Sequence, residues 1–127
     1  MLTIVINRGT ETLHLGAFAY ANRVDPASAR INLSTMACKK LRVSAGGRVQ
    51  FTIIGEEWFI SKTESEEGYG LIGNDYGLML HAGMLVNELF DCLAPIRKRL
   101  WLKVQPTKHE LNGQPLFQLI PTRQKTN

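Results

Sequence analysis

The sequence predicts a mainly β domain with two short helices, an α+β chain made of two strand–helix–strand–strand units behind an N-terminal β-hairpin. Three observations predict it. Apolar and polar residues alternate in short runs through most of the chain, the period-two mark of half-buried strands. Only residues 35–41 and 82–93 space their apolar side chains at helical intervals. The succession strand, helix, turn, strand, turn, strand occurs twice, over 30–62 and 78–121, with little identity between the two copies.

Residues 1–22 read as the hairpin. Leu2, Ile4 and Ile6 alternate with other residues, Asn7-Arg8-Gly9-Thr10 supplies turn chemistry, and Leu13, Leu15 and Ala17 alternate again. A polar connector with Pro26 follows. Arg30-Ile31-Asn32-Leu33 opens the first unit as a short strand, and Ser34 is placed to cap a helix over 35–41. That helix puts Ala37, Cys38 and Leu41 on one face, and Val43-Ser44-Ala45-Gly46-Gly47 is expected to end it. Over 48–54, Val49, Phe51 and Ile53 alternate with Gln50 and Thr52. Gly55-Glu56-Glu57 turns the chain into a partner strand, Trp58-Phe59-Ile60-Ser61-Lys62.

The connector 63–75 is acidic, with a short strand near 69–72. The second unit begins with Leu78-Met79-Leu80. A helix over 82–93 follows, with Leu85, Leu89 and Leu93 in register. Leu100, Leu102 and Val104 then alternate with Trp101, Lys103 and Gln105. Leu111-Asn112-Gly113-Gln114 is turn chemistry, and 116–120 is the returning strand. A length of 127 residues suits one domain, 1–121, with a flexible polar tail over 122–127.

Composition narrows the function classes. No apolar run reaches the roughly 18 residues of a membrane helix, and the N-terminus has no signal-peptide pattern, so a cytoplasmic protein is expected. Cys38 and Cys92 both sit among apolar residues. With His14, His81 and His109 they form no ligand spacing, so neither a metal, a disulfide nor a cofactor is expected. His81 is placed to cap the second helix. No nucleophile, phosphate loop or carboxylate pair points to an enzyme. A net charge of +4 and a pI near 9.3 point to an anionic partner, nucleic acid first.

Residues 30–62 resemble the swapped-hairpin AbrB/MazE family of DNA-binding domains. The resemblance is carried by Arg30-Ile31-Asn32-Leu33-Ser34-Thr35-Met36-Ala37-Cys38-Lys39-Lys40-Leu41 and Val43-Ser44-Ala45-Gly46-Gly47-Arg48-Val49-Gln50-Phe51. Such domains open an apolar strand with a basic residue, follow it with a short helix ending in Leu, and turn through glycine into a valine-rich strand. Here Ser34 stands where proline is usual, Gly47 where aspartate is common, and Cys38 where a basic residue is frequent. The family interleaves the hairpins of two copies into one barrel. The resemblance therefore implies an internally duplicated, single-chain AbrB-like barrel acting as a DNA-binding regulator or accessory protein. It also implies DNA contacts from Arg23, Arg30 and Lys39, projecting from one end.

Lys39-Lys40-Leu41-Arg42 and Arg97-Lys98-Arg99 are the densest basic stretches and complete the expected contact set. The second unit carries no cation at Leu78, Met79 or Leu80, and its helix bears Glu88 and Asp91, so the DNA surface is expected to be one-sided. The rival reading is a non-catalytic protein-interaction or structural module of phage or mobile-element type that kept the fold and lost the DNA surface. Glu64, Glu66 and Glu67 favour it. Trp101 faces away from Leu100 and Leu102, toward either the N-terminal hairpin or a partner.

Overall fold

A computed structural model describes residues 18–22, 29–74, 77–93 and 99–122. The chain is mainly β with two short helices. In order these are β1 (Phe18–Asn22), β2 (Arg30–Ser34), α1 (Thr35–Leu41), β3 (Arg48–Ile54), β4 (Glu57–Thr63), β5 (Tyr69–Gly70), β6 (Ile72–Asn74), β7 (Gly77–His81), α2 (Gly83–Leu93), β8 (Arg99–Leu111) and β9 (Gln114–Pro121). All the strands join one antiparallel sheet in the order β5-β3-β4-β9-β8-β1-β2-β7-β6.

The turns follow their residues. Ile54 pairs with Glu57 across Gly55-Glu56, with Gly55 at φ +65°, a two-residue hairpin that needs glycine first. Leu111 pairs with Gln114 across Asn112-Gly113, both at positive φ, the other favoured hairpin turn. The Ser34 hydroxyl accepts from the Ala37 N–H at 3.1 Å and caps α1 as the sequence suggests. The helix ends differently. Arg42, not a glycine, takes the left-handed conformation at φ 62°, and the N–H of Val43 closes on the Cys38 carbonyl at 3.1 Å.

The ladder pattern maps onto itself. β2 pairs with β7 through Asn32↔Met79 at its centre, and β4 pairs with β9 through Phe59↔Gln118. Exchanging β2 with β7, β3 with β8 and β4 with β9 carries each of these pairings into itself. It also exchanges β1, which lies between β8 and β2, with the β5–β6 segment, which joins β3 to β7. β1 is therefore an interior strand equivalent to β5–β6. The hairpin expected over 1–22 falls, apart from this strand, outside the described residues.

The expected barrel is not closed. No ladder joins the edge strands β5 and β6, and Leu71 between them turns its backbone to the 46–47 turn. Its N–H donates to the Gly47 carbonyl at 2.9 Å, and its carbonyl accepts from Gly46 at 3.0 Å. One short segment thus serves β3 and then β7. Gly70 and Ile72 are separated by a single residue, so their Cα atoms lie within about 7 Å. The open sheet is consequently curled until its two edges meet on one stretch of chain.

Inside the curl, Ile31, Leu33, Val49, Trp58, Ile60, Leu80, Leu89, Phe90, Leu100, Leu102 and Val104 are buried. α1 adds Ala37, Cys38 and Leu41, and α2 adds Val86, Leu89 and Phe90. Leu85 and Leu93 of the expected stripe are only partly buried, as is Phe51. Trp58 and Phe59 are both buried but on opposite faces. Trp58 belongs to the main core, while Phe59 packs edge-on to His109 with ring centroids 5.4 Å apart. Two extra residues of β8 between Pro106 and Glu110 displace the register of that long strand there.

Candidate functional site

Antiparallel partners share a face of the sheet, so register decides which surface residues meet. Ala21, Ile31, Leu80 and Leu100 lie side by side and face the core. In the neighbouring row, one residue along each strand, Arg99, Arg30 and His81 face outward at the strand ends: the backbone of Asn22 pairs with both Arg99 and Arg30, and Arg30 pairs with His81. At about 4.8 Å per strand, Arg99 and Arg30 stand about 10 Å apart at the backbone, with His81 one strand beyond. Arg99 and His81 are exposed and Arg30 half-buried.

The next outward row holds Trp101, Asn32, Met79 and Ile72, with Trp101 and Asn32 joined through the backbone of β1 between them. Trp101, Asn32 and Met79 are half-buried, while Ile72 is 53% exposed. Lys103 continues the outward series on β8 and is exposed. Along β8 the outward positions thus read cation, indole, cation. Neither β1, β2, β7 nor residues 99–105 of β8 contains an aspartate or glutamate. The face is cationic because these stretches carry no acid, and its aromatic, Trp101, lies between Arg99 and Lys103.

The basic residues expected to act together divide into two groups. Arg30 and Arg99 come from different units and are brought into one row. In sequence Arg23 directly follows Asn22, and Arg97-Lys98 directly precede Arg99; all three lie outside the described residues. Lys39, Lys40 and Arg42 are exposed but leave from the other end of β2, about 13 Å along the strand from Arg30. α1, which carries Lys39, therefore begins at the opposite end of β2 from Arg30. The reason is local: α1 starts where β2 stops and is held there by the contact of Cys38 Sγ with the Leu33 carbonyl at 3.9 Å.

Two residues gain a place that sequence reasoning missed. His81, expected to cap α2, instead ends β7 opposite Arg30, and among the described residues its side chain makes no capping bond. Lys103 joins the face through its pairing with Phe18. Their outward parity beside the buried Leu80 and Leu102 was the available signal.

The remaining chemistry is structural. Cys38 is buried, and its loss of solvation raises the thiol pKa above the ordinary value of 9.0, opposed by a backbone hydrogen bond at Leu78. Cys92, expected among apolar neighbours, is exposed in the last turn of α2. Among the described residues no three His, Cys, Asp or Glu side chains gather as a metal site requires, and no helix is long and apolar enough to cross a membrane. No family model, curated protein or solved structure matches the chain.

Proposed function

We propose that this chain is a non-catalytic, cytoplasmic DNA-binding regulator or accessory protein that meets phosphates with the outward face of β8, β1, β2 and β7. One observation carries the reading: Arg99, Arg30 and His81 share a register row, and neither β1, β2, β7 nor residues 99–105 of β8 carry an acidic residue. A phosphate backbone rewards such a row, because each neutralised phosphate releases condensed counterions. Arg23, Arg97 and Lys98 adjoin the row in sequence. Lys39, Lys40 and Arg42 form a separate, secondary patch. The self-mapping ladder supports a fused, AbrB-like pseudo-dimer, in which one chain supplies both interleaved hairpins.

Fluorescence anisotropy with a random-sequence duplex tests this. Affinity should fall as salt rises, with a log–log slope near −0.9 per phosphate met. Replacing both Arg30 and Arg99 by alanine should make that slope shallower by about two, whereas Lys39→Ala with Lys40→Ala should change it less. No binding by micromolar protein at low salt would refute the DNA reading and leave the protein-interaction module. Binding indifferent to Arg30 and Arg99 but lost with Lys39 and Lys40 would move the site to α1.

A further inference from the structure

We propose that a second copy of this chain docks on β3, the two β3 strands pairing antiparallel about a two-fold axis through Thr52. β5 covers β3 only at Arg48 and Val49. Beyond Val49, among the described residues, no strand lies on that side, and Ile53 and Ile54 are 47% and 43% exposed. The open stretch is Gln50-Phe51-Thr52-Ile53-Ile54: uncharged, rich in β-branched and aromatic residues, with no proline and no bulge. Sheet edges of this kind recruit another strand unless something blocks them.

The equivalent strand shows what blocking looks like. Past its pairing with β1, β8 carries Pro106, Lys108, Glu110 and the register shift, each of which spoils an edge for strand addition. Two strands exchanged by the same ladder symmetry thus differ in this respect, and β3 is the one left open.

Register identifies the occupant. The two-residue turn makes Ile54↔Glu57 a hydrogen-bonded pair, so alternate residues from Ile54 back to Arg48 direct their N–H and C=O groups to β4. Phe51 and Ile53 direct theirs outward. Pairing about Thr52 sets Phe51 of one copy opposite Ile53 of the other, twice, which uses every outward backbone group of the open stretch. The same register puts Thr52 opposite Thr52, a favourable cross-strand pair, and gathers two Phe51 and two Ile53 side chains on one face. It also brings Glu56 and Glu57, at the end of one strand, toward the Arg48 end of the other, where β5 closes the pairing. The strand is complementary to itself in charge as well as in hydrogen bonding.

Light scattering without nucleic acid tests this independently of any DNA reading. The mass should rise with concentration from 14.2 kDa toward twice that value. Ile53→Lys should return it to the single-chain mass with an unchanged circular dichroism spectrum, and Ile54→Lys serves if that variant does not fold. In a Cys92→Ser background, Thr52→Cys should cross-link on treatment with diamide, because a non-hydrogen-bonded antiparallel pair sits within disulfide reach. Leu111→Cys, at the other hairpin tip, should stay uncross-linked. A single-chain mass at every concentration, a dimer indifferent to the lysine variants, or equal cross-linking at positions 52 and 111 would each overturn the proposal.

Discussion

Gly77→Ala is expected to cost more than any other glycine substitution made at a strand or hairpin end. Gly77 opens β7 opposite Ser34 with φ +143°, and a Cβ there would lie 2.1 Å from the Leu33 carbonyl oxygen. The backbone angle alone costs about 1–3 kcal/mol for a residue with a side chain. The collision must then be relieved by moving backbone, because Leu33 is held in the β1·β2·β7 ladder and is 1% exposed. Alanine returns about 0.4–1 kcal/mol by stiffening the unfolded chain. The net loss should be about 3 kcal/mol, a fall in Tm on the order of 10 °C for a domain of this size. Gly113→Ala is the control: its φ is +81° but nothing lies within 4 Å of the added carbon, so about 1 kcal/mol is expected. Urea unfolding of both variants measures the difference. Equal losses would show that the β2·β7 seam yields freely, and the argument from close approach would be wrong.

Four further outcomes follow from burial. Leu89→Ala should cost about 2–5 kcal/mol in urea unfolding, whereas half-buried Phe51→Ala should cost clearly less, about 1–2 kcal/mol. Ser61→Ala should leave stability unchanged or raise it by up to about 1 kcal/mol, since the fully buried hydroxyl has no hydrogen-bond partner among the described residues. Iodoacetamide should label Cys92 well before Cys38, and equal rates by mass spectrometry would contradict the burial of Cys38. The raised Cys38 pKa has a definite sign: the unfolded thiol ionises first, so the stability this group contributes is present below pH 9.0 and is lost as pH climbs above it. Cys38→Ala should flatten the decline of stability across that alkaline range.

Local rules made much of the fold legible. Ser34 before an apolar turn, glycine at the two hairpin tips and strict alternation over Val49 and Phe51 or Leu100 and Leu102 each follow from short-range chemistry. Three features depend on tertiary pairing instead. β1 carries no mark that both its edges are taken. β8 extends to Leu111 although Pro106, Lys108 and Glu110 erase its period, because β9 supplies the partner and a bulge absorbs the proline. Phe59 breaks alternation because the outer face beside it is covered by His109. The candidate site is legible to the same degree. Arg30 and Arg99 stand out as strand-opening cations, but only the shared partner Asn22 makes them neighbours.

The ladder symmetry also explains why the cationic face occurs once. Leu119 and Ile60 exchange under it, so their partners Val104 and Phe51 exchange, and three residues back along each strand Trp101 exchanges with Arg48. Across β2 and β7, Arg30 exchanges with Gly77 and His81 with Ser34. The counterpart of the basic row therefore holds a glycine and a serine. Its nearby cation, Arg48, donates to the Gly68 carbonyl at 3.0 Å beneath the crossing from β4 to β5. That crossing carries the exposed Glu64, Glu66 and Glu67, and Gly68 is needed there because a Cβ would collide with the Thr63 methyl and approach the Val49 carbonyl to 3.1 Å. One of two equivalent surfaces has thus been made neutral to acidic, while the other keeps its cations. β3, the strand proposed to pair with a second copy, lies in the neutralised half. A dimer formed through it would leave both basic faces uncovered, so a duplex long enough to reach both should show about twice the salt slope of a short one.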